Sequence, residues 1–166
     1  MSIYIAFGSN KALGALDPRS VLSRALTALP PQGVEVRALS RFWRSPAWPD
    51  PADPPYLNGA AELVTRMSPE TLLACLHAVE ARFGRERREL NAPRTLDLDI
   101  IDYEGRVSAP GDVPVLPHPR ATQRAFVLLP LREIAPDWTD PVSGQGIEAL
   151  IAGLDGADVE ATVPVS

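Results

Sequence analysis

Apolar and polar positions along this chain fall into short runs, each of which reads as one element. Ile3-Tyr4-Ile5-Ala6-Phe7 is an apolar run closed by Gly8-Ser9-Asn10, the pattern of a buried strand ended by a turn. Asp17 followed by Pro18 suits an N-cap and first helical position. Val21, Leu22, Ala25, Leu26 and Leu29 follow at helical spacing until Pro30-Pro31 stops them. Val34 to Trp43 alternates in part and predicts a second strand. Tyr56 to Thr65 predicts a third, after a Pro-rich loop from Ser45 to Pro55.

Ser68-Pro69-Glu70 opens the clearest helix, with Leu72, Leu76, Val79 and Phe83 as its apolar stripe and Gly84 as a natural stop. An Arg-rich loop covers 85–93. Thr95 to Tyr103 then alternates, which predicts a fourth strand. A long loop reaches Pro119. A helical pattern from Ala121 to Ile134 is interrupted by Pro130, Ile147 to Leu154 suggests a last short helix, and the tail beyond shows no pattern. The order strand, helix, two strands, helix, strand, then helices is that of the split βαβ or ferredoxin-like fold. The expected architecture is therefore α+β: a βαββαβ core whose antiparallel sheet is flanked by helices, an αβα sandwich. That fold hosts enzymes and ligand-sensing modules alike, so function has to come from the residues of a site.

Composition narrows the classes. The 166 residues with 45% apolar content suit one domain, residues 1–166, with a substantial core. A net charge of −5 argues against broad binding to nucleic acid or acidic membranes. The single cysteine, Cys75, excludes an internal disulfide framework and any multi-cysteine metal site. No stretch approaches a membrane span, and Ile3 to Phe7 is too short and lacks the basic leader of a signal peptide. A cytoplasmic location is the expectation.

Two features change the picture. Arg82, Arg85, Arg87, Arg88 and Arg94 crowd one segment of an acidic protein, either as a solvated helix end or as a clamp for an oligophosphate. Beside them runs Arg94-Thr95-Leu96-Asp97-Leu98-Asp99-Ile100. On a strand, Asp97 and Asp99 share one face, roughly 6 to 7 Å apart. Leu96, Leu98 and Ile100 take the other face, into the core. Two adjacent carboxylates repel, a cation relieves the repulsion, and oxygen-only ligands favour Mg²⁺. Metal on one side and arginines on the other would bracket a triphosphate, and no Gly-rich Walker-type loop is present. His118, between Pro117 and Pro119 and flanked by arginines, suits a phosphate contact. His77 and Glu80 are an i,i+3 pair on the second helix, read either as solvated or as an adenosine contact. Ser45-Pro46-Ala47-Trp48 and Tyr56-Leu57-Asn58 combine aromatics with amide groups, enough to sandwich a flat heterocycle and bond its edge.

The run Arg94 to Ile100 resembles the signature of 6-hydroxymethyl-7,8-dihydropterin pyrophosphokinases. The likeness extends from Tyr4 to Pro136 through Gly8-Ser9-Asn10, Ser45-Pro46, Tyr56-Leu57-Asn58, Glu80, Gly84-Arg85, Pro117-His118 with Arg124, and Phe126 to Leu131. The resemblance implies transfer of pyrophosphate from ATP to 6-hydroxymethyl-7,8-dihydropterin in folate biosynthesis, with two Mg²⁺ ions on Asp97 and Asp99. It implies catalytic roles for Arg85 and Arg94, with Arg87 a second loop arginine of similar role. His77, Glu80, Ile100, His118 and Arg124 fall at nucleotide positions. Ser45, Pro46, Trp48, Tyr56, Asn58 and Phe126 fall at pterin positions, with Asp97 also reaching the hydroxymethyl group. The chain departs from the pattern at His77 and Asp53, where glutamines are common, at Asn91, where some members carry tryptophan, and at Val113 and Val115, where polar residues are found. A monomer acting on small molecules, without nucleic acid or membrane, is expected. The rival from another class is a sensor of the same fold that binds nucleotide or pterin without turnover.

Overall fold

The computed structural model describes residues 2–47, 50–84 and 93–165. Its elements are β1 (Ile3–Ser9), α1 (Pro18–Thr27), β2 (Val34–Leu39), β3 (Trp43–Ser45), β4 (Tyr56–Thr65), α2 (Pro69–Arg82), β5 (Asp97–Tyr103), α3 (Ala125–Ile134), α4 (Ile147–Ala152), α5 (Gly156–Ala161) and β6 (Val163–Pro164). The sheet runs β5-β1-β4-β3-β6, with β2 on the far half of β4, and every pairing is antiparallel. With β2 and β3 sharing one position, this is the order expected of a split βαβ sandwich.

The helices begin where their caps dictate. Asp17 Oδ1 accepts the Ser20 N–H at 2.8 Å and Ser68 Oγ accepts the Thr71 N–H at 3.2 Å, each satisfying a donor that the first turn leaves orphaned. Helix α2 ends at Gly84, whose φ of +78° is open to glycine at little cost, and a Cβ there would meet Leu13 Cδ1 at 2.8 Å. One sheet face packs Ile3, Ile5, Phe7, Leu63, Leu98 and Ile100 against Val21 and Leu22 of α1 and Leu72, Leu76 and Val79 of α2. Each such side chain, fully buried, contributes roughly 1.5–3 kcal/mol. The other face packs Trp43, Ala60 and Ile101 against α3, α4 and Trp138. Gly59 lies opposite Phe7, whose ring would stand 2.2 Å from any added Cβ, so the absence of a side chain on β4 makes room for the aromatic on β1.

Three segments differ from the sequence reading. The strand expected over Val34 to Trp43 is two strands. Its register on β4 slips between Val36 and Ala38, and at the break the Ser40 hydroxyl, rather than a carbonyl, accepts the Ala60 N–H at 2.9 Å. The alternation expected through Tyr103 breaks at Ile101. Tyr4 faces Asp102 while Ile5 faces Ile100, which leaves Ile101 as the extra residue of a β-bulge. The tail that showed no pattern forms α5 and β6, the latter pairing Val163 with Arg44 and Pro164 with Trp43. Two residues are too few to print a period in the sequence.

Candidate functional site

The bulge decides which side chains of β5 meet. Before it, Asp97 and Asp99 point to the face away from α1 and α2, while Leu98 and Ile100 enter the helix-side core. Asp97 lies opposite Gly8 and Asp99 opposite Ala6. Gly8 in turn lies opposite Asn58, and Asn58 opposite Trp43. The two acids therefore stand beside two of the smallest residues, and the missing bulk over Ala6 and Gly8 opens a cleft of about 490 Å³. Strand spacing places Asn58 two strands from Asp97, roughly 10 Å away. Asn58 and Ser45 are both buried, and Asn58 Nδ2 donates to Ser45 Oγ at 2.8 Å, so the far edge of the floor is a fixed polar pair.

The walls carry charge and aromatic rings. Arg94 Nη1 sits 3.0 Å from Asp97 Oδ2. The Arg94 backbone is held by Asn10, whose N–H donates to Arg94 O at 3.0 Å and whose Oδ1 accepts the Arg94 N–H at 2.8 Å. From the other side, Arg124 lies over the Phe126 ring, 5.4 Å from its centroid. His118 is carried by the bulge: its N–H donates to the Ile101 carbonyl at 2.8 Å. His118 Nδ1 accepts the Arg120 N–H at 3.2 Å, so the proton of the neutral ring belongs on Nε2. Burial, then the Arg124 charge, hold the His118 pKa below its ordinary value.

Asp99 is a strongly perturbed acid. Burial, then the charges of Asp97 and Glu80, push its pKa up to about 7 against the opposing pull of Arg124 and Arg94. The donor set fits Mg²⁺: two carboxylates, hard oxygen ligands, in a place where their own repulsion disfavours both charges without a cation. No group of three or more His, Cys, Asp or Glu gathers around a metal position among the described residues. A magnesium ion there would complete its shell with water and with oxygens of a bound substrate.

The cleft gathers Ser45, Pro46, Tyr56, Asn58, Arg94, Asp97, Asp99, His118, Arg124 and Phe126. Glu80 is buried outside it, where its Oε2 accepts the Leu98 N–H at 2.8 Å and closes the open edge of β5 between the two aspartates. His77 is exposed on the same helix, α2. The Ile100 side chain faces the helix-side core. Arg85, Arg87, Trp48 and Asn91 lie outside the described residues. Sequence reasoning missed the permissive role of Ala6 and Gly8, the Asn10 clamp and the cleft-lining Gln123, Asp155 and Asp158. Small residues alternating on β1 were the one available signal. The others depend on contacts across more than 80 or about 30 positions.

A six-stranded antiparallel α+β sandwich, with an acidic pair facing arginines and a polar, aromatic-walled floor, defines a ligand cleft for an anionic and a planar group together. The family model of 7,8-dihydro-6-hydroxymethylpterin-pyrophosphokinases matches residues 4–136, and the chain belongs to that family. It is similar to the 2-amino-4-hydroxy-6-hydroxymethyldihydropteridine pyrophosphokinase of Synechocystis sp., 46% identical over 80% of this chain and 67% of that protein. The protein of the same name from Methylorubrum extorquens is 37% identical over 95% of this chain and 96% of its own length. The folic acid synthesis protein fol1 of Schizosaccharomyces pombe is 34% identical over 91% of this chain but only 20% of that much longer protein.

Proposed function

We propose that the cleft transfers a pyrophosphoryl group from ATP to the hydroxymethyl oxygen of 6-hydroxymethyl-7,8-dihydropterin and releases AMP. Family membership makes the protein a pyrophosphokinase of folate biosynthesis that uses ATP. The observation that carries the assignment of roles is that Asp97 and Asp99 share one face with the Asn58–Ser45 pair, across a floor cleared by Ala6 and Gly8.

Asn58, Ser45 and Pro46 bind the pterin edge, and Tyr56 and Phe126 flank its faces. The hydroxymethyl group then points along the floor toward Asp97, which orients its hydroxyl and takes its proton. As the oxygen bonds to the β-phosphorus, the bond from that phosphorus to the α-β bridging oxygen breaks, and AMP leaves with the electron pair. Arg94, Arg124 and His118, joined by the loop residues Arg85 and Arg87, offset charge on the transferred group. Two Mg²⁺ ions held by Asp97 and Asp99 would supply neutralisation of the triphosphate charge. Glu80 acts from beneath the strand by holding Leu98, and thereby both aspartates, in place. His77, Glu80 and Ile100 are assigned to the nucleotide side, and Trp48 to the pterin side. The reaction is cytoplasmic and the working unit a monomer.

Incubation of the protein with ATP, Mg²⁺ and 6-hydroxymethyl-7,8-dihydropterin, resolved by chromatography, tests this. AMP with a pyrophosphorylated pterin is expected. ADP would mean simple phosphorylation, free pyrophosphate nucleotidyl transfer, and no turnover a sensor; each overturns the proposal.

A further inference from the structure

Two cleft-lining residues, Asp155 and Asp158, come from the C-terminal segment that follows the family-matched region. Asp155 is accounted for locally, since its carboxylate caps α5 through the Ala157 N–H at 3.0 Å. Asp158 acts on another element. Helix α3 starts at Ala125, and its N-cap residue, Arg124, has no side-chain acceptor to offer. Ala125 is fully buried, so water is a poor substitute for a cap. Its N–H is taken instead by Asp158 Oδ2, at 3.4 Å. Thr162 Oγ1 bonds the Asp158 carbonyl at 2.9 Å and Val159 packs into the second core, which fixes the carboxylate's base. Past α5, β6 pairs with β3, the strand that ends in Ser45.

We infer that Asp158 is a positioning residue for the pterin half of the cleft: as a cap supplied from another helix, it holds the first turn of α3 and with it Phe126. The negative charge at the helix start adds to the hydrogen bond, because a helix N-terminus favours an anion. The C-terminal segment thus ties the α3 wall to the Ser45 strand that faces it. This rests on the proposed function for which substrate each wall contacts, but not for the cap itself.

The test compares wild type, Asp158→Ala and Asp158→Asn as full chains. A cap lost to alanine weakens binding through Phe126, so KM for the hydroxymethyl-dihydropterin rises about 5- to 20-fold while KM for ATP stays within about 2-fold. Asparagine, whose amide oxygen still accepts, returns to within about 3-fold of wild type. Hydrogen exchange of the Ala125 and Phe126 amides, which needs no turnover, is about 10-fold faster in Asp158→Ala and restored in Asp158→Asn. Unchanged exchange in Asp158→Ala overturns the inference, as does an equal rise in both KM values or no rescue by asparagine. An inactive wild type with accelerated exchange in Asp158→Ala sinks the proposed function and leaves the cap standing.

Discussion

Asn10 and Arg94 grip each other at two points, the Asn10 N–H on the Arg94 carbonyl at 3.0 Å and the Arg94 N–H on Asn10 Oδ1 at 2.8 Å. Asn10 Nδ2 also donates to the Pro54 carbonyl at 3.0 Å. One buried amide at the end of β1 therefore joins the arginine segment to the loop before Tyr56.

Asn10→Ala strands the Arg94 N–H and the Pro54 carbonyl together. The expected loss is about 1–3 kcal/mol of stability, with kcat/KM down at least about 10-fold as Arg94 loses its anchor. Asn10→Asp keeps the acceptor for Arg94 but not the donor for Pro54, and should fall between alanine and wild type. Thermal unfolding and steady-state kinetics on both variants measure the two halves of the clamp.

Asp97→Asn or Asp99→Asn should each cut turnover by at least about 100-fold, because each removes an anionic oxygen from the transfer site. Glu104→Gln, in the turn after β5, should leave it within about 2-fold. Near-normal turnover in either aspartate variant would contradict their role.

The raised pKa of Asp99 predicts a direction for stability against pH without Mg²⁺. A carboxyl whose folded pKa, about 7, lies above its ordinary 3.8 prefers to keep its proton in the folded state. Its contribution is most favourable below pH 4 and is lost as pH rises toward 7, by up to a few kcal/mol at about 1.4 kcal/mol per pKa unit. Asp99→Asn should therefore raise the Tm at pH 8 by several degrees and change it little at pH 4. Equal shifts at both pH values would show that burial and repulsion do not govern this group.

The Thr95 hydroxyl is buried without a hydrogen-bond partner among the described residues. Thr95→Val removes an unsatisfied polar atom at nearly constant shape, so stability should rise by about 1 kcal/mol, or a Tm gain of roughly 2–4 °C. A lower Tm would mean that the hydroxyl has a partner in solution.

Strands β1, β4 and β5, the caps at Asp17 and Ser68, and the shared face of Asp97 and Asp99 were legible in the chain, because each depends on neighbours within a few positions. Periodicity and capping are local physics, and local physics is written in order along the sequence. The failures were not local. The break at Ser40 arises because a hydroxyl substitutes for a carbonyl on a strand 20 residues away. The adjacent pair Ile100 and Ile101 interrupts the alternation along the chain, but only register with β1 shows that Ile101 is the extra residue of a bulge. That Glu80 is buried and accepts the Leu98 N–H came only with the fold. Chain order thus determined which residues are proposed to carry the chemistry. Only the tertiary structure decided that Ala6 and Gly8 clear the floor between the acids and Asn58, that Asn10 holds Arg94, and that Asp158 caps α3, since each of these joins elements whose separation along the chain carries no period.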